Sequence, residues 1–246
     1  MIMRKITTYL LAMAVFMCAA ATASAQDVRW QIRAGLGISN LYSTDASIYD
    51  DGFFNSPDPR LSLNVGVAAD IPLSKNGMWR LQPELRYTMK GFGNSHNFWY
   101  EDHDAYKDDY TTRLHYLELV MAGAARMRMG RRCYVSVRVG PYVSFGLDAN
   151  THLDYMDRTY GNHFTESTII ESASQRQSST YIPKFHRWEF GFVEGVDFHI
   201  RRFIVGLEFS EGFTPLYATH RHTFADETYR CRRSNFTAAL TFGVQF

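Results

Sequence analysis

The sequence predicts an all-β fold: an eight-stranded, antiparallel, up-and-down transmembrane β-barrel with short periplasmic turns and long external loops. Three observations predict it. Eight segments alternate apolar with polar or small residues, which is the period of a β-strand whose two faces meet different surroundings. The connections between them are alternately short and long. Aromatic residues make up 15% of the chain, and many stand at predicted strand ends, where membrane barrels carry aromatic girdles.

The chain starts with a segment typical of a secretory signal peptide. Two basic residues are followed by an apolar run and then by small residues, the order of regions in such peptides. We therefore predict residues 1–25 as the signal peptide, with cleavage between Ala25 and Gln26. Residues 26–246 then form one outer-membrane β-barrel domain.

Lipidation and nucleic-acid binding are both disfavoured. A lipoprotein would use Cys18, but Met17 before it is too bulky for the small-residue site that acylation needs. The formal charge of +1 becomes −1 when the two basic residues of the signal peptide are removed. A nearly neutral exported chain has no electrostatic basis for binding nucleic acid.

The first four predicted strands set an apolar face against a charged or polar one. In the first, Trp30 and Leu36 point outward and Arg33 inward, and the third has Leu85 outward beside Glu84 inward. Pro83 in the third strand removes a ladder donor and predicts a bulge or bend there. The four stretches are DVRWQIRAGLGIS, RLSLNVGVAADI, WRLQPELRYTMK and LHYLELVMAGAAR.

The last four predicted strands continue the pattern with one irregularity. In the sixth, Trp188, Phe192 and Phe198 point outward, and the same parity places Glu194 outward as well. Either a bulge shifts the register or Glu194 lies near an interface, and the sequence leaves both open. The four stretches are YVSVRVGPYVSFGL, RWEFGFVEGVDF, FIVGLEF and NFTAALTFGVQF.

The connections orient the barrel. The short ones are LSKNGM, with an Asn-Gly hairpin turn, RMGRR and HIRR. Alternation of short turns with long polar loops is typical of outer-membrane barrels, so the short connections are predicted to be periplasmic. Trp30, Trp79 and Phe203 then lie at the periplasmic rim and Trp188 at the outer rim. The predicted external loops are residues 41–59, 91–112, 148–184 and 211–232.

The strand motifs resemble the PorT-like family of outer-membrane β-barrel proteins of Gram-negative bacteria. The matching stretches are RAGLGISNL, LQPELRYTMKGFG, YLEL, GPYVSFGL, GLEFSEGFTPL and LTFGVQF. The resemblance implies an eight-stranded barrel, with some members tied to protein secretion or gliding. The chain departs from the family at residues 122–125, where relatives carry larger aliphatic residues. Resemblance to barrel proteins also implies that Phe246 is recognised by the barrel assembly machinery.

The predicted inward face carries charges of both signs. An eight-stranded barrel is just wide enough for side chains to fill, so we expect these charges to pair and close the lumen. Glu84 and Glu118 are an alternative acid/base couple, which the salt-bridged interior outweighs. The inward charged residues are Arg29, Arg33, Arg60, Asp70, Arg80, Glu84, Arg86, Lys90, Glu118, Arg126, Arg138, Glu189, Asp197 and Glu208.

No catalytic, cofactor-binding or metal-binding residue is predicted. His220 and His222 could hold a metal with a histidine of SHNFWYEDHDAY, but their spacing matches no zinc pattern. Ser/His pairs near the outer rim fit no fixed triad. Cys133 and Cys231 are predicted at opposite rims, too far apart for a disulfide. The other histidines are His96, His103, His115, His152, His163 and His186, in or beside the long loops, and His199, in a short turn.

These features predict a non-enzymatic structural or surface-binding component of the outer membrane, with an accessory role in secretion or surface assembly. The expected partners are outer-membrane lipid and lipopolysaccharide, the barrel assembly machinery, and an extracellular or secretion-system protein that the sequence does not name. A small-solute channel and a lipid-modifying barrel enzyme are the alternatives.

Overall fold

The computed structural model contains eleven β-strands among the residues it describes, which are 28–43, 57–99, 105–157, 162–169, 185–216, 221–224, 227–230 and 233–246. Eight of them form the barrel: β1 (Arg29–Ser43), β2 (Asp58–Pro72), β3 (Trp79–Trp99), β4 (Ala105–Arg128), β5 (Cys133–Asp157), β7 (Trp188–Ile200), β8 (Phe203–Gly212) and β11 (Arg233–Gln245). The other three are β6 (Asn162–Ile169), β9 (Arg221–Phe224) and β10 (Glu227–Arg230).

The barrel is closed. Its strand order is β4-β3-β2-β1-β11-β8-β7-β5, and β4 also pairs with β5, so the ring has no free edge. Closure joins the first and last strands: β1 pairs antiparallel with β11 from Gln31↔Gln245 to Ser43↔Arg233. This confirms the predicted eight-stranded antiparallel barrel, and every neighbour in the ring is antiparallel.

The short connections are tight turns at one end of the barrel. Gly77 adopts a positive φ of 67° between β2 and β3, as the Asn-Gly pair predicts. Between β7 and β8, Arg201 takes a positive φ of 56° in a two-residue turn. Non-glycine residues rarely adopt that conformation.

Three neighbouring strands run far past the length that a membrane requires. β3, β4 and β5 contain 21, 24 and 25 residues, against 13 in β7 and 10 in β8, and a tilted strand spans a bilayer in about 9–11 residues. The predicted loops 91–112 and 148–184 were therefore wrong in part. Residues 91–99 extend β3, residues 105–112 extend β4 and residues 148–157 extend β5, and β6 pairs with the end of β5.

Two irregularities lie elsewhere than predicted. Pro83 was predicted to cause a bulge or bend, and no bulge occurs there: the ladder between β2 and β3 is interrupted beside Pro83 and resumes in the same register. Register shifts occur instead between Pro59 and Leu63 and beside His115. No bulge interrupts β7, so Glu194 keeps its outward position.

The outer surface is apolar, with aromatic residues at both rims. Exposed Trp30, Trp79 and Phe203 lie at the end that carries the short turns, and exposed Trp188 lies at the other end, as predicted. Along β7 and β8 every second residue is exposed and the residues between are buried. None of the described residues belongs to a helix long and apolar enough to cross a membrane. The predicted signal peptide, residues 1–25, lies outside the described residues.

Candidate functional site

The lumen is filled by ion pairs. Salt bridges join six cationic side chains to six carboxylates, and nearly all of these side chains are buried. The alternation of each strand turns these residues inward, and the interior of an eight-stranded barrel is just wide enough for side chains to fill. The cations are Arg33, Arg80, Arg86, Lys90, Arg126 and Arg138, and the carboxylates are Asp70, Glu84, Glu118, Glu189, Asp197 and Glu208.

Asp70 organises the periplasmic layer of the lumen. Arg80 Nε donates to its Oδ1 at 2.6 Å, and Arg126 Nη2 donates to its Oδ2 at 2.9 Å. Two neutral side chains complete the shell, with Gln82 Nε2 at 3.1 Å and Gln245 Nε2 at 3.0 Å from the carboxylate. Because Gln245 comes from β11, this cluster also fastens the closing strand to the interior.

The middle layer is a continuous network across the lumen. Arg33 Nη2 donates to both oxygens of Asp197 at 2.7 Å, and Arg138 contacts Asp197 and Glu208. Arg86 donates to Glu208 Oε1 at 2.5 Å. Arg86 and Arg138 thus bridge carboxylates from different strands, and charge-assisted bonds of this kind are among the stronger hydrogen bonds in proteins.

Lys90 is the centre of the outer charged layer. Its ammonium lies 2.8 Å from Glu118 Oε1 and 2.6 Å from Glu189 Oε1. The rings of Tyr116 and Tyr142 flank it at 5.2 and 4.8 Å from their centroids, which adds cation–π attraction. Lys90 is 1% exposed, so neither the cation nor its partners are open to solvent.

An apolar cluster closes the lumen above this layer. Its members are inward-facing residues near the external ends of the strands, where the lumen would otherwise open. They are Leu41, Phe92, Leu114, Tyr116, Ala149 and Leu216, with Phe185 packed against them. An apolar seal at the external end opposes the passage of ions and polar solutes.

The predicted alternative couple of Glu84 and Glu118 is occupied by cations. Glu118 accepts from Arg86 at 2.8 Å and from Ser144 at 2.9 Å, besides its contact with Lys90. Glu84 lies 3.3 Å from Arg138. Both carboxylates are buried. A general acid or base must reach a substrate proton, and these groups face only protein.

His199 is placed differently from its prediction. It lies within β7 and not in the turn, and it is buried in the lumen with Nε2 3.1 Å from Ser136 Oγ. Its Nδ1 has no hydrogen-bond partner among the described residues. A serine hydrolase needs an acceptor at that nitrogen and an accessible serine, so this buried pair lacks two parts of a triad.

The remaining histidines and the cysteines give no further site within the described residues. His115 is half-buried on the outer surface, 2.5 Å from the Tyr87 hydroxyl, and His186 is exposed. No group of three or more potential metal ligands occurs in the described part of the chain. His103, His220 and Cys231 lie outside it. Side chains of His96, His152, His163 and His222 are not among those described. Cys133 is free and exposed at the start of β5.

Two of the charged residues predicted to face inward, Arg29 and Arg60, are not part of the ion-pair network in the lumen. Arg29 is exposed at the periplasmic rim, and Arg60 packs its guanidinium against Gly93 near the external end.

Three neutral side chains that were not predicted as partners, Tyr142, Ser144 and Asn235, bind the carboxylates of the outer charged layer. The alternation of β5 and β11 gives the inward direction of these side chains, but the prediction covered only charged residues.

A family model described as outer membrane protein beta-barrel domain matches residues 23–218. The chain belongs to this family. Membership places the barrel in the outer membrane, with its apolar surface against lipid. A search of curated proteins finds no match to the chain.

Three solved outer-membrane proteins are similar to this member of the family. OprG of Pseudomonas aeruginosa is 10% identical with a TM-score of 0.43, covering 89% of this chain and 95% of its own. Ail, the attachment invasion locus protein of Yersinia pestis, is 9% identical with a TM-score of 0.37, covering 89% of this chain and 99% of its own. Neisserial surface protein A is 9% identical with a TM-score of 0.37, covering 88% and 97%.

Proposed function

We propose that the chain is a non-enzymatic outer-membrane protein that acts as a structural or surface-binding component, with an accessory role in secretion or surface assembly. The observation that carries this proposal is the lumen, which is closed by paired charges and by the apolar cluster above them. An interior filled in this way supports neither transport nor an interior active site. Activity must then come from the outer surfaces, which contact lipid, lipopolysaccharide and external partners.

The tall wall formed by β3, β4, β5 and β6 supports a surface-binding role. These four strands pair in order and continue past the barrel rim, giving a paired sheet outside the membrane. Such a sheet presents its faces to molecules outside the cell, and among the described residues β6 is its edge strand. Strand edges are templates for pairing with another chain. The resemblance to PorT-like proteins supports the accessory role in secretion or surface assembly.

Conductance measurements test the closed-lumen proposal against the channel alternative. We expect the purified barrel to give no steady ion conductance in planar bilayers, because cations and carboxylates fill the lumen. A trimmed variant, in which the dipeptide Asn-Gly replaces residues 94–110, should also give no steady conductance. In this variant a two-residue turn connects Gly93 and Thr111, which are paired between β3 and β4. Reproducible channels from the intact chain, or channels opened by this trimming, would favour a pore whose external segments act as gates.

Recognition of Phe246 by the barrel assembly machinery is a separate proposal. Phe246 is exposed at the periplasmic rim, where its backbone N–H donates to the Trp30 carbonyl at 2.9 Å. Its side chain is therefore free for another protein while its backbone completes the β1–β11 seam. We expect Phe246→Ser to lower the amount of heat-modifiable barrel in the outer membrane, and Phe246→Tyr to leave it nearly unchanged.

Refolding of the same variants into detergent separates recognition from stability. Phe246→Ser should refold as well as the unmodified chain, since no partner protein takes part. Equal barrel yields for the two variants in cells would contradict recognition of the aromatic side chain. A refolding defect of Phe246→Ser in detergent would also contradict the proposal, because the loss of barrel would then come from lower stability and not from lost recognition.

A further inference from the structure

Glu194 is a carboxylate on the lipid-facing surface of the barrel. It is the seventh of the thirteen residues of β7, midway between Trp188 at the outer rim and Ile200 at the periplasmic end. Exposed and buried residues alternate along β7 without a break, so Glu194 points outward with Phe192 and Val196. It therefore lies near the middle of the hydrocarbon layer.

The surroundings of Glu194 are apolar. Its register partners are Val139 on β5 and Phe209 on β8, both exposed on the same surface. Within the described part of the chain, its carboxylate has no hydrogen-bond or ion-pair partner. Between the two aromatic rims, the described outward-facing residues include no lysine or arginine. No partner for Glu194 therefore comes from the described residues of its own barrel.

An unpaired Glu194 side chain in the hydrocarbon layer raises the free energy of a monomeric barrel. An ionised carboxylate in hydrocarbon carries a large desolvation penalty, and a buried carboxyl group relieves it by taking up a proton. The neutral acid still carries an O–H donor and a carbonyl acceptor. Lipid tails satisfy neither group.

We propose that the β7 face of the barrel is a dimer interface, in which the Glu194 carboxyl groups of two copies hydrogen-bond to each other across a two-fold axis. A protonated carboxyl group is self-complementary, because each copy offers one donor and one acceptor. A two-fold axis along the membrane normal places the two Glu194 residues at the same depth, and two-fold dimers are the commonest symmetric oligomers. A partner with a cation would instead bring a second charge into the hydrocarbon layer.

Cysteine cross-linking in lipid vesicles tests the interface. In a Cys133→Ser, Cys231→Ser background, Val196→Cys places a thiol beside Glu194, and Val67→Cys places one on β2. Both valines are exposed, at 36% and 49%. β2 is four strands from β7 in either direction around the ring, so Val67 lies on the opposite wall. Under mild oxidation we expect Val196→Cys to form cross-linked dimers and Val67→Cys to form few.

Substitution of Glu194 itself identifies the hydrogen bond. With Val196→Cys, adding Glu194→Leu should lower the dimer yield about tenfold, in keeping with the loss of interchain hydrogen bonds in a membrane. Adding Glu194→Gln should preserve it, because an amide is also both donor and acceptor. Heat modifiability confirms that each variant is folded. Equal cross-linking at Val196 and Val67, an undiminished yield with Glu194→Leu, or monomers alone when unmodified barrels are counted in nanodiscs would overturn the proposal.

Discussion

Glu118→Ala is expected to destabilise the barrel by about 3–5 kcal/mol, the usual cost of removing one partner from a buried ion pair. Glu118 accepts from Arg86 at 2.8 Å and from Ser144 at 2.9 Å, and it lies 2.8 Å from the Lys90 ammonium. Its loss leaves two buried cations short of a carboxylate. The free energy of unfolding, obtained from urea titrations of the refolded barrel in detergent, measures the effect.

Ser144→Ala is the matched control for Glu118→Ala. It removes a neutral donor to the same carboxylate and should cost only about 1 kcal/mol. A similar loss for both variants would mean that the network is wet enough to screen its charges, contrary to its burial. Because Arg86 also binds Glu208 and Lys90 also binds Glu189, the remaining pairs keep the lumen filled. We therefore expect Glu118→Ala to lose stability without gaining conductance.

Alternation along the strands was sufficient to predict the barrel and the direction of its side chains. A strand between lipid and a packed lumen must place apolar and polar residues on opposite faces. The sequence therefore predicts that Leu85 faces the lipid and that Arg86 faces the lumen. Outside the membrane that constraint ends. The external extensions of β3, β4 and β5 include polar runs such as residues 94–97, and the sequence pattern therefore missed them as strands.

The pairing of the lumen charges could not be predicted in the same way. Arg33 and Asp197 are 164 positions apart, and which inward residues meet across a barrel depends on strand tilt and stagger. The odd or even position of a residue along its strand shows whether its side chain faces inward, but it does not give the height of that side chain along the barrel axis. For Glu194, the alternation gave the correct outward direction, but both predicted alternatives were wrong: no bulge removes the residue from the outer face, and its place in the middle of β7 is not near a membrane–water interface.

Gly37 lies at a close approach of the two strands that close the barrel. It lies on β1 opposite Ala239 of β11. A Cβ atom built on Gly37 would overlap the Ala238 carbonyl oxygen and lie 2.5 Å from the Cα of Ala239. Both atoms belong to the neighbouring backbone, so no change of rotamer can relieve the overlap. A side chain at this position must push the first and last strands apart.

Gly37→Val is therefore expected to prevent most of the chain from closing. Overpacking of a core costs about 1–3 kcal/mol where side chains can adjust, and a clash with backbone at the closing seam should cost at least about 3 kcal/mol. Heat-modifiable barrel after refolding, read on unheated gels, should nearly disappear. Gly123→Ala is the matched control, since Gly123 is exposed on the outer surface and its added Cβ would lie 3.8 Å from the nearest atom, the Val139 carbonyl oxygen. That change should raise stability by roughly 0.5 kcal/mol, because alanine loses less conformational freedom than glycine in a strand. If Gly37→Val refolds as fully as Gly123→Ala, the first and last strands do not approach each other as closely at Gly37 as the contacts with Ala238 and Ala239 indicate.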